Sequence, residues 1–409
     1  MQVSAAGNGA FTRFWIAEIA TVLAYQMMVV AIGWQIYDLT GSALDLGLIG
    51  LAHFGAQILC SLPAGHVADR YDRRRVALVC QVVQCSAAIV LALGSRAGWL
   101  TSSVAYAVVF AIGTATTFQS PALRAMLPGL VETRWLSRAV AWSNTTKKIA
   151  VIVGPALGGA FYLAGPSIVY ATSAASFLVA GAVIVGIRRR PPAGPHEPPT
   201  LASMLAGFAF IRSHPVILGA ISLDLFATLV GGVTALLPIY ARDILATGPE
   251  GLGLLRAAPA AGAVLASAYL ARFPLNDHVG RIMFVCVAIF GAATVVFGTS
   301  QLLALSLAAL MVLGAADMVS VVIRSTLVQL DTPDAMRGRV SAVNSLFTGT
   351  SNQLGQFWAG LMATLMGTVP AVVFGGCSTL VVVALWMRLF PGLDRRRRLA
   401  QAEPSPEAP

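Results

Sequence analysis

Charge is what this sequence has least of. Lysine, arginine, aspartate and glutamate together make up 11% of its 409 residues, against about 25% in soluble domains. Hydrophobic residues make up 57%, and the mean hydropathy is +0.78. No soluble core needs that much apolar surface, so a soluble globular fold is excluded. Cysteine is scarce too. Cys60, Cys80, Cys85, Cys286 and Cys377 are odd in number, lie in apolar stretches and form no CxxC pair. They read as small core residues, with no disulfide framework. The histidines His53, His66, His196, His214 and His278 show no metal-ligand spacing, so no metal site is expected. There is no Walker loop, no HExxH and no GxSxG, which leaves ATP hydrolysis and hydrolase chemistry unsupported. The opening MQVSAAGNGAFTRFW lacks a basic region ahead of a short apolar core, so a cleaved signal peptide is not expected.

What the chain does have is long apolar runs. A bilayer core asks for about 20 apolar residues per helical crossing. Twelve such runs are found, at 13–37, 43–66, 76–95, 99–124, 138–164, 166–187, 215–241, 250–272, 281–299, 301–326, 340–366 and 370–390. The fourth, fifth and eleventh are the weakest, because polar residues intrude. The expected fold is an all-α membrane protein of twelve transmembrane helices. RRRPPAGPHEPPT (Arg188–Thr200) interrupts the middle and reads as a solvent-exposed linker. LASMLAGFAFIRSHP follows it, amphipathic and suited to lying along the membrane face. The expected division is a six-helix bundle over 1–187, a linker with its amphipathic helix over 188–214, a second six-helix bundle over 215–390, and a disordered tail over 391–409.

The net charge of +10 follows topology. With the N-terminus inside, only Arg96 and Arg242 of the 27 lysines and arginines fall in outer loops. The inner side takes Arg70–Arg75, Arg188, Arg189, Arg190, Arg337, Arg339 and Arg395–Arg398. This asymmetry places both termini in the cytoplasm, and no nucleic-acid partner is expected. Membrane lipids are the expected surroundings.

The two halves resemble each other. At a spacing of 200, Arg124 meets Arg324, Leu127 meets Leu327, Val140 meets Val340 and Asn144 meets Asn344. At a spacing of 206, Glu18 meets Asp224, Leu46 meets Leu252, Arg75 meets Arg281 and Cys80 meets Cys286. These matches favour two parallel repeats around a central cavity.

Between the second and third runs stands GHVADRYDRRR, from Gly65 to Arg75. Gly65, Asp69, Arg70, Arg73 and Arg74 match the pattern Gly-x-x-x-Asp-Arg-x-Gly-Arg-Arg of the major facilitator superfamily, which the chain resembles. Asp72 stands where the pattern has glycine, so the turn there is expected to differ. LLAGFAFIRSHP-like sequence before the seventh run (LAGFAFIRSHP here) and QLDTPDAMRGRVSAVNSLF at the eleventh resemble the enterobactin-exporter-like branch. That resemblance implies two pseudo-symmetric six-helix bundles and a bacterial inner-membrane exporter of a small amphipathic molecule, such as a siderophore or drug. Export would be driven by the proton gradient, with no bound cofactor and a monomer as the expected unit. It also implies that Asp69 caps a helix of the opposite half when the inner gate is closed. Arg70, Arg73 and Arg74 would pair with acids or lipid phosphates. A basic turn that only sets topology is the rival.

Acids inside spans are costly and are functional candidates. Glu18, Asp224 and Asp317 are the candidate proton or substrate sites, since a desolvated carboxyl can take and release a proton near neutral pH. For Asp317 a structural charge network with Arg324 is the rival. Arg124 and Arg324 are candidate gate partners, or else snorkel to phosphates. Lys147 and Lys148 favour snorkelling. Arg256 suits an outer-gate pairing with Glu250 or Asp243. Gly154, Pro155, Gly158 and Gly159 resemble the antiporter motif Gly-Pro-x-x-Gly-Gly, with close helix packing as the alternative. The expected activity is proton-coupled export by alternating access, with protons entering from outside and binding Glu18 or Asp224. A proton-coupled importer is the alternative, and a membrane sensor or membrane-embedded enzyme stands further off.

Overall fold

A computed structural model describes residues 9–187, 201–273, 275 and 277–396; at Asp69, 201–204 and Ala335 only the backbone is described. The linker residues Arg188–Thr200 and the tail from 397 lie outside the described residues. The described chain is helical. Six long helices come first: α1 (Gly9–Thr40), α2 (Ala43–Arg70), α3 (Arg73–Ala97), α4 (Ser102–Met126), α5 (Thr133–Tyr162) and α6 (Pro166–Val185). A shorter helix, α7 (Leu201–Ser213), precedes the second set. The seventh span is broken into α8 (Pro215–Gly231), α9 (Leu237–Ile239) and a π-helical turn over Tyr240–Ile244. Then follow α10 (Pro249–Arg272), α11 (Val279–Thr299), α12 (Leu303–Leu330), α13 (Asp334–Met366), α14 (Thr368–Leu389) and the short α15 (Pro391–Asp394).

Nine of these spans are long and apolar enough, by length and composition, to cross a membrane. The three that fall short are α4, α5 and α13, the spans in which polar residues intrude. The helices start and stop where local chemistry dictates. The Ser42 hydroxyl accepts from the Asp45 amide at the start of α2, and Thr101 does the same for Val104 at the start of α4. Pro166 opens α6. Gly98 takes the left-handed conformation, φ 73°, that ends α3.

Two features differ from expectation. The seventh span is not one helix. Its Gly231-Gly232 pair lets the chain leave helical geometry at Gly232 (φ −66°, ψ 85°), and α13 passes so close that a Cβ on Gly232 would sit 3.0 Å from the Gly355 carbonyl. The tail expected to be disordered begins ordered. Leu393 is fully buried against Met283 and Leu327, the Gly280 amide donates to the Arg396 carbonyl, and the Arg396 guanidinium meets Asp331 at 2.7 Å. An apolar anchor and a charged clamp hold 391–396 under the second half.

Helices α1–α6 pack on one another, as do α8–α14; the two groups meet along α2 with α13 and α5 with α10. Twelve crossings put Gly9 and Asp394 at one end, here the terminal end. The largest apolar core runs through both groups near the other end, joining Ile32, Ile36 and Leu46 to Leu236, Tyr240 and Leu252. The smaller cores nearer the terminal end stay within one group. Phe14, Met126 and Ile187 form one in the first, and Leu223, Phe284 and Leu327 one in the second. The halves are therefore packed together opposite the termini and parted at the terminal end.

Small residues permit the closest crossings, since backbones approach only where Cβ is absent. A Cβ on Gly314 of α12 would overlap the Pro259 carbonyl, and one on Gly262 of α10 the Met311 carbonyl. Gly314→Val is expected to force α10 and α12 apart and destabilise the protein by about 1–3 kcal/mol, read as a lower melting temperature of the purified chain. Gly338→Ala, within α13 and with open space around the glycine, is the control expected to leave the melting temperature unchanged or slightly raised.

Candidate functional site

In the first half the buried acid is Glu18 of α1. Its carboxylate meets Lys147 Nζ of α5 at 2.7 Å and accepts from the Ser143 hydroxyl one turn earlier. Lys147 therefore does not snorkel to lipid, as its position near a span end suggested. A buried carboxylate outbids headgroup phosphates for it.

In the second half the acid is Asp224 of α8, and its partner is Arg324 of α12 at 2.6 Å, with side chains 7% and 4% exposed. The same guanidinium nitrogen donates to Thr348 Oγ1 at 3.1 Å and Asn344 Oδ1 at 3.5 Å on α13. Arg324 was a candidate gate partner; its acid lies in its own half instead. Asp317, two turns before Arg324 on α12, lines a cavity with Asp224, Arg324, Lys147, Lys148 and Thr228. The break at Gly231–Thr234 forms part of that cavity's wall. Glu18 and Asp224 align at a spacing of 206, yet one takes its base from the fifth helix of its half and the other from the fourth.

The end opposite the termini is sealed by contacts between halves. Tyr37 donates to Asp243, and Asp38 pairs with Arg242 at 2.9 Å. A Cβ on Gly360 would lie 2.6 Å from the Ala43 carbonyl, where α2 and α13 cross. The antiporter-like stretch seals α5 against α10. Gly159 lies against the Pro249 carbonyl, and a Cβ on Gly253 would come within 2.5 Å of the Pro155 carbonyl. Gly154 and Gly158 face the other way, against Gln26 and the Met27 backbone of α1. One run of small residues thus serves both a fixed and a parting interface.

At the terminal end, Gly65 and Arg124 line a second cavity with Ser120 and Ser345, and Arg124 donates to Ser120 at 3.1 Å. Asp72 caps α3 by accepting from the Arg74 amide at 3.0 Å, so an acid serves where the superfamily pattern has glycine. Arg73 donates to the Ala125 carbonyl at 2.8 Å, and Arg74 to the Val185 carbonyl. These were expected to meet acids or phosphates. They cap the C-terminal ends of α4 and α6 instead, where free carbonyls and the helix dipole attract cations. Arg70 is exposed. The Asp69 side chain lies outside the described residues.

Arg256 does not join the seal. Asp243 takes Tyr37, and Glu250 accepts from the Gly248 amide of its own turn. Arg256 faces a central cavity beside Tyr25 and His53. The sealing set of Tyr37, Asp38, Arg242 and Asp243 was missed as a unit. Its one trace in sequence is an acid and an Arg-Asp pair closing the first and seventh spans at the same end.

The profile of the transmembrane secretion effector family matches residues 3–404. The chain belongs to that family. It is a secondary transporter of the major facilitator superfamily and not an enzyme. The transporter is 27% identical over 400 residues to the enterobactin exporter EntS of Citrobacter koseri, covering 97% of this chain and 95% of the relative. It is 25% identical over 391 residues to EntS of Escherichia coli O157:H7, covering 95% and 94%. In fold it resembles a variant of the nucleoside transporter NupG (TM-score 0.76, 13% identity, 93% of this chain and 100% of that one). It also resembles a bacterial homologue of the iron transporter ferroportin (TM-score 0.69, 16% identity, 95% and 99%).

Removing one partner of a buried ion pair leaves an uncompensated charge, at a cost of about 3–5 kcal/mol, whereas replacing both with apolar groups is often neutral. Asp224→Asn is therefore expected to destabilise the transporter by that order, and Asp224→Leu with Arg324→Met to recover most of the loss. Thermal unfolding of the purified variants reads the difference. Equal loss in the single and double variants contradicts the pairing.

Proposed function

We propose that this transporter is a proton-coupled exporter of a small amphipathic molecule across a bacterial inner membrane, with its terminal end in the cytoplasm. The observation that carries the coupling is Asp317. It lines the cavity beside an ion pair that is already complete, Asp224 with Arg324, and no base lies within bonding range of it among the described residues. An acid so placed in a span takes a proton as its counter-charge. Asp224, Asp317 and Arg324 line one cavity, so the two carboxylates and one guanidinium make a site whose charge depends on proton occupancy.

Export is supported by the relatives, which are enterobactin exporters, and by the Gly154–Gly159 stretch that packs α5 on both α1 and α10. The positive-inside distribution supports the cytoplasmic placement of the termini. In the resulting cycle the cavity takes substrate from the cytoplasm, as in the described state. Opening of the far end releases the substrate, and a proton entering there reaches Asp317 and favours return. The Asp69 carboxylate, with the Arg124 cavity beside its helix, is proposed as the latch that forms when the terminal end closes.

Inverted vesicles with an acid lumen, supplied with enterobactin, test drive and direction together. The expected result is gradient-driven uptake that Asp317→Asn abolishes, while Glu18→Gln weakens transport through loss of the Lys147 pair. Uptake only in right-side-out vesicles would point to an importer. Unchanged coupling in Asp317→Asn would remove that residue from the mechanism.

A further inference from the structure

Four other buried or half-buried cations described above have an acid or a helix C-terminus as counter-charge. Lys147 has Glu18, Arg324 has Asp224, Arg396 has Asp331, and Arg73 has the end of α4. Arg256 has none of these. It points from α10 into a partly open cavity of about 100 Å³ between the halves, toward the sealed end. No carboxylate is among the residues that line that cavity. Its Nε atom is buried without a hydrogen-bond partner. Across the cavity, His53 Nδ1 of α2 is likewise buried and unpartnered, while its Nε2 lies 3.4 Å from the Tyr25 hydroxyl of α1. Gln353 and Gln356 of α13 add neutral hydrogen-bonding groups. The remaining wall is apolar, with Met28, Ile32, Leu46 and Ile112 among its residues. Gly33 of α1 lies against Arg256; a Cβ there would make an ordinary contact, 3.5 Å from its Nη2.

We infer that Arg256 is the anion-recognition residue of the substrate site, and that the transported molecule is an amphipathic organic anion, a carboxylate, phenolate or sulfonate on an aryl or alkyl body. A half-buried guanidinium with no counter-ion within a span is costly, and a ligand that supplies the missing negative charge recovers that cost on binding. The wall opposite fits an apolar body, with His53 and the glutamines orienting its polar substituents. Because Arg256 belongs to the second half while Tyr25, His53, Leu46 and Ile112 belong to the first, such a ligand bridges the halves. Opening the sealed end would draw the two sides of the site apart. This inference rests on the transporter reading, but it needs neither a proton gradient nor a direction of transport.

The test is binding to the purified full chain in a non-ionic detergent. Melting temperature is measured with 2-naphthoate, with neutral 2-naphthamide, with tetraphenylphosphonium and with inorganic phosphate. The expected result is a rise with 2-naphthoate alone, lost in Arg256→Met. That variant is also expected to melt no lower than the parent without ligand, since it removes an uncompensated charge. Three results would each overturn the inference: no rise with 2-naphthoate, an equal rise with any of the other three, or a rise that survives the substitution. A ligand-free Arg256→Met that melts lower would mark Arg256 as structural and overturn it as well. Should Arg256→Met not fold, phenylglyoxal labelling of the parent decides. Protection of Arg256 by 2-naphthoate but not by 2-naphthamide is expected, and its absence contradicts the assignment. Failure of vesicle export with this binding intact would refute only the exporter reading.

Discussion

A charge buried in a membrane must be neutralised, and this chain neutralises almost all of its buried charge within one half. Glu18 and Lys147 both belong to the first half, and Asp224 and Arg324 both to the second. Arg73 and Arg74 end on carbonyls of α4 and α6, and Arg396 on Asp331. The halves can therefore part without stranding an ion. What holds them together opposite the termini is of another kind: glycine approaches between α2 and α13 and between α5 and α10, an apolar core, and the Asp38–Arg242 pair. The pair is half-exposed, at 54% and 42%, and exposed pairs contribute little. The buried ion pairs thus lie within each half, while the interface between the halves is built of apolar packing, glycine approaches and one half-exposed pair.

Arg256 stands outside this arrangement, which is why it matters. On the inference above, a cation without an acid partner in the partly open space between the halves ties the occupancy of that space to its charge. The break in the seventh span belongs to the same region. Gly231 and Gly232 interrupt helical hydrogen bonding beside the Asp317 cavity. Irregular backbone at membrane depth is tolerated where protein or an aqueous cavity covers it. Charge-bearing residues and deformable backbone are thereby concentrated where the two halves face each other.

Much of this was legible in the sequence. The twelve apolar runs fall on the long helices, and the three runs weakened by polar residues are helices that line cavities, with Thr116 and Ser120 of α4, Lys147 and Lys148 of α5, and Ser345 and Asn352 of α13. The repeats aligned Glu18 with Asp224 at a spacing of 206. What they could not reveal is where each acid finds its base. Lys147 comes from the fifth helix of its half and Arg324 from the fourth of its own, and a repeat broken at the partner leaves no signal in spacing. Nor does composition distinguish an arginine that meets phosphate from one that caps a carbonyl, as Arg73 and Arg74 do. The helix break at Gly232 was hidden because hydropathy is continuous across it.

The central claim is that two rigid halves rock about a site between them, closing one end as the other opens. Double electron–electron resonance on the otherwise cysteine-free transporter tests it most directly. One labelled pair, Leu39→Cys with Leu254→Cys, reports the sealed end, and another, Tyr71→Cys with Asp334→Cys, the terminal end. From acid to alkaline pH, the account predicts that the first distance lengthens as the second shortens. Distances that stay fixed, or that change in the same direction, would contradict it.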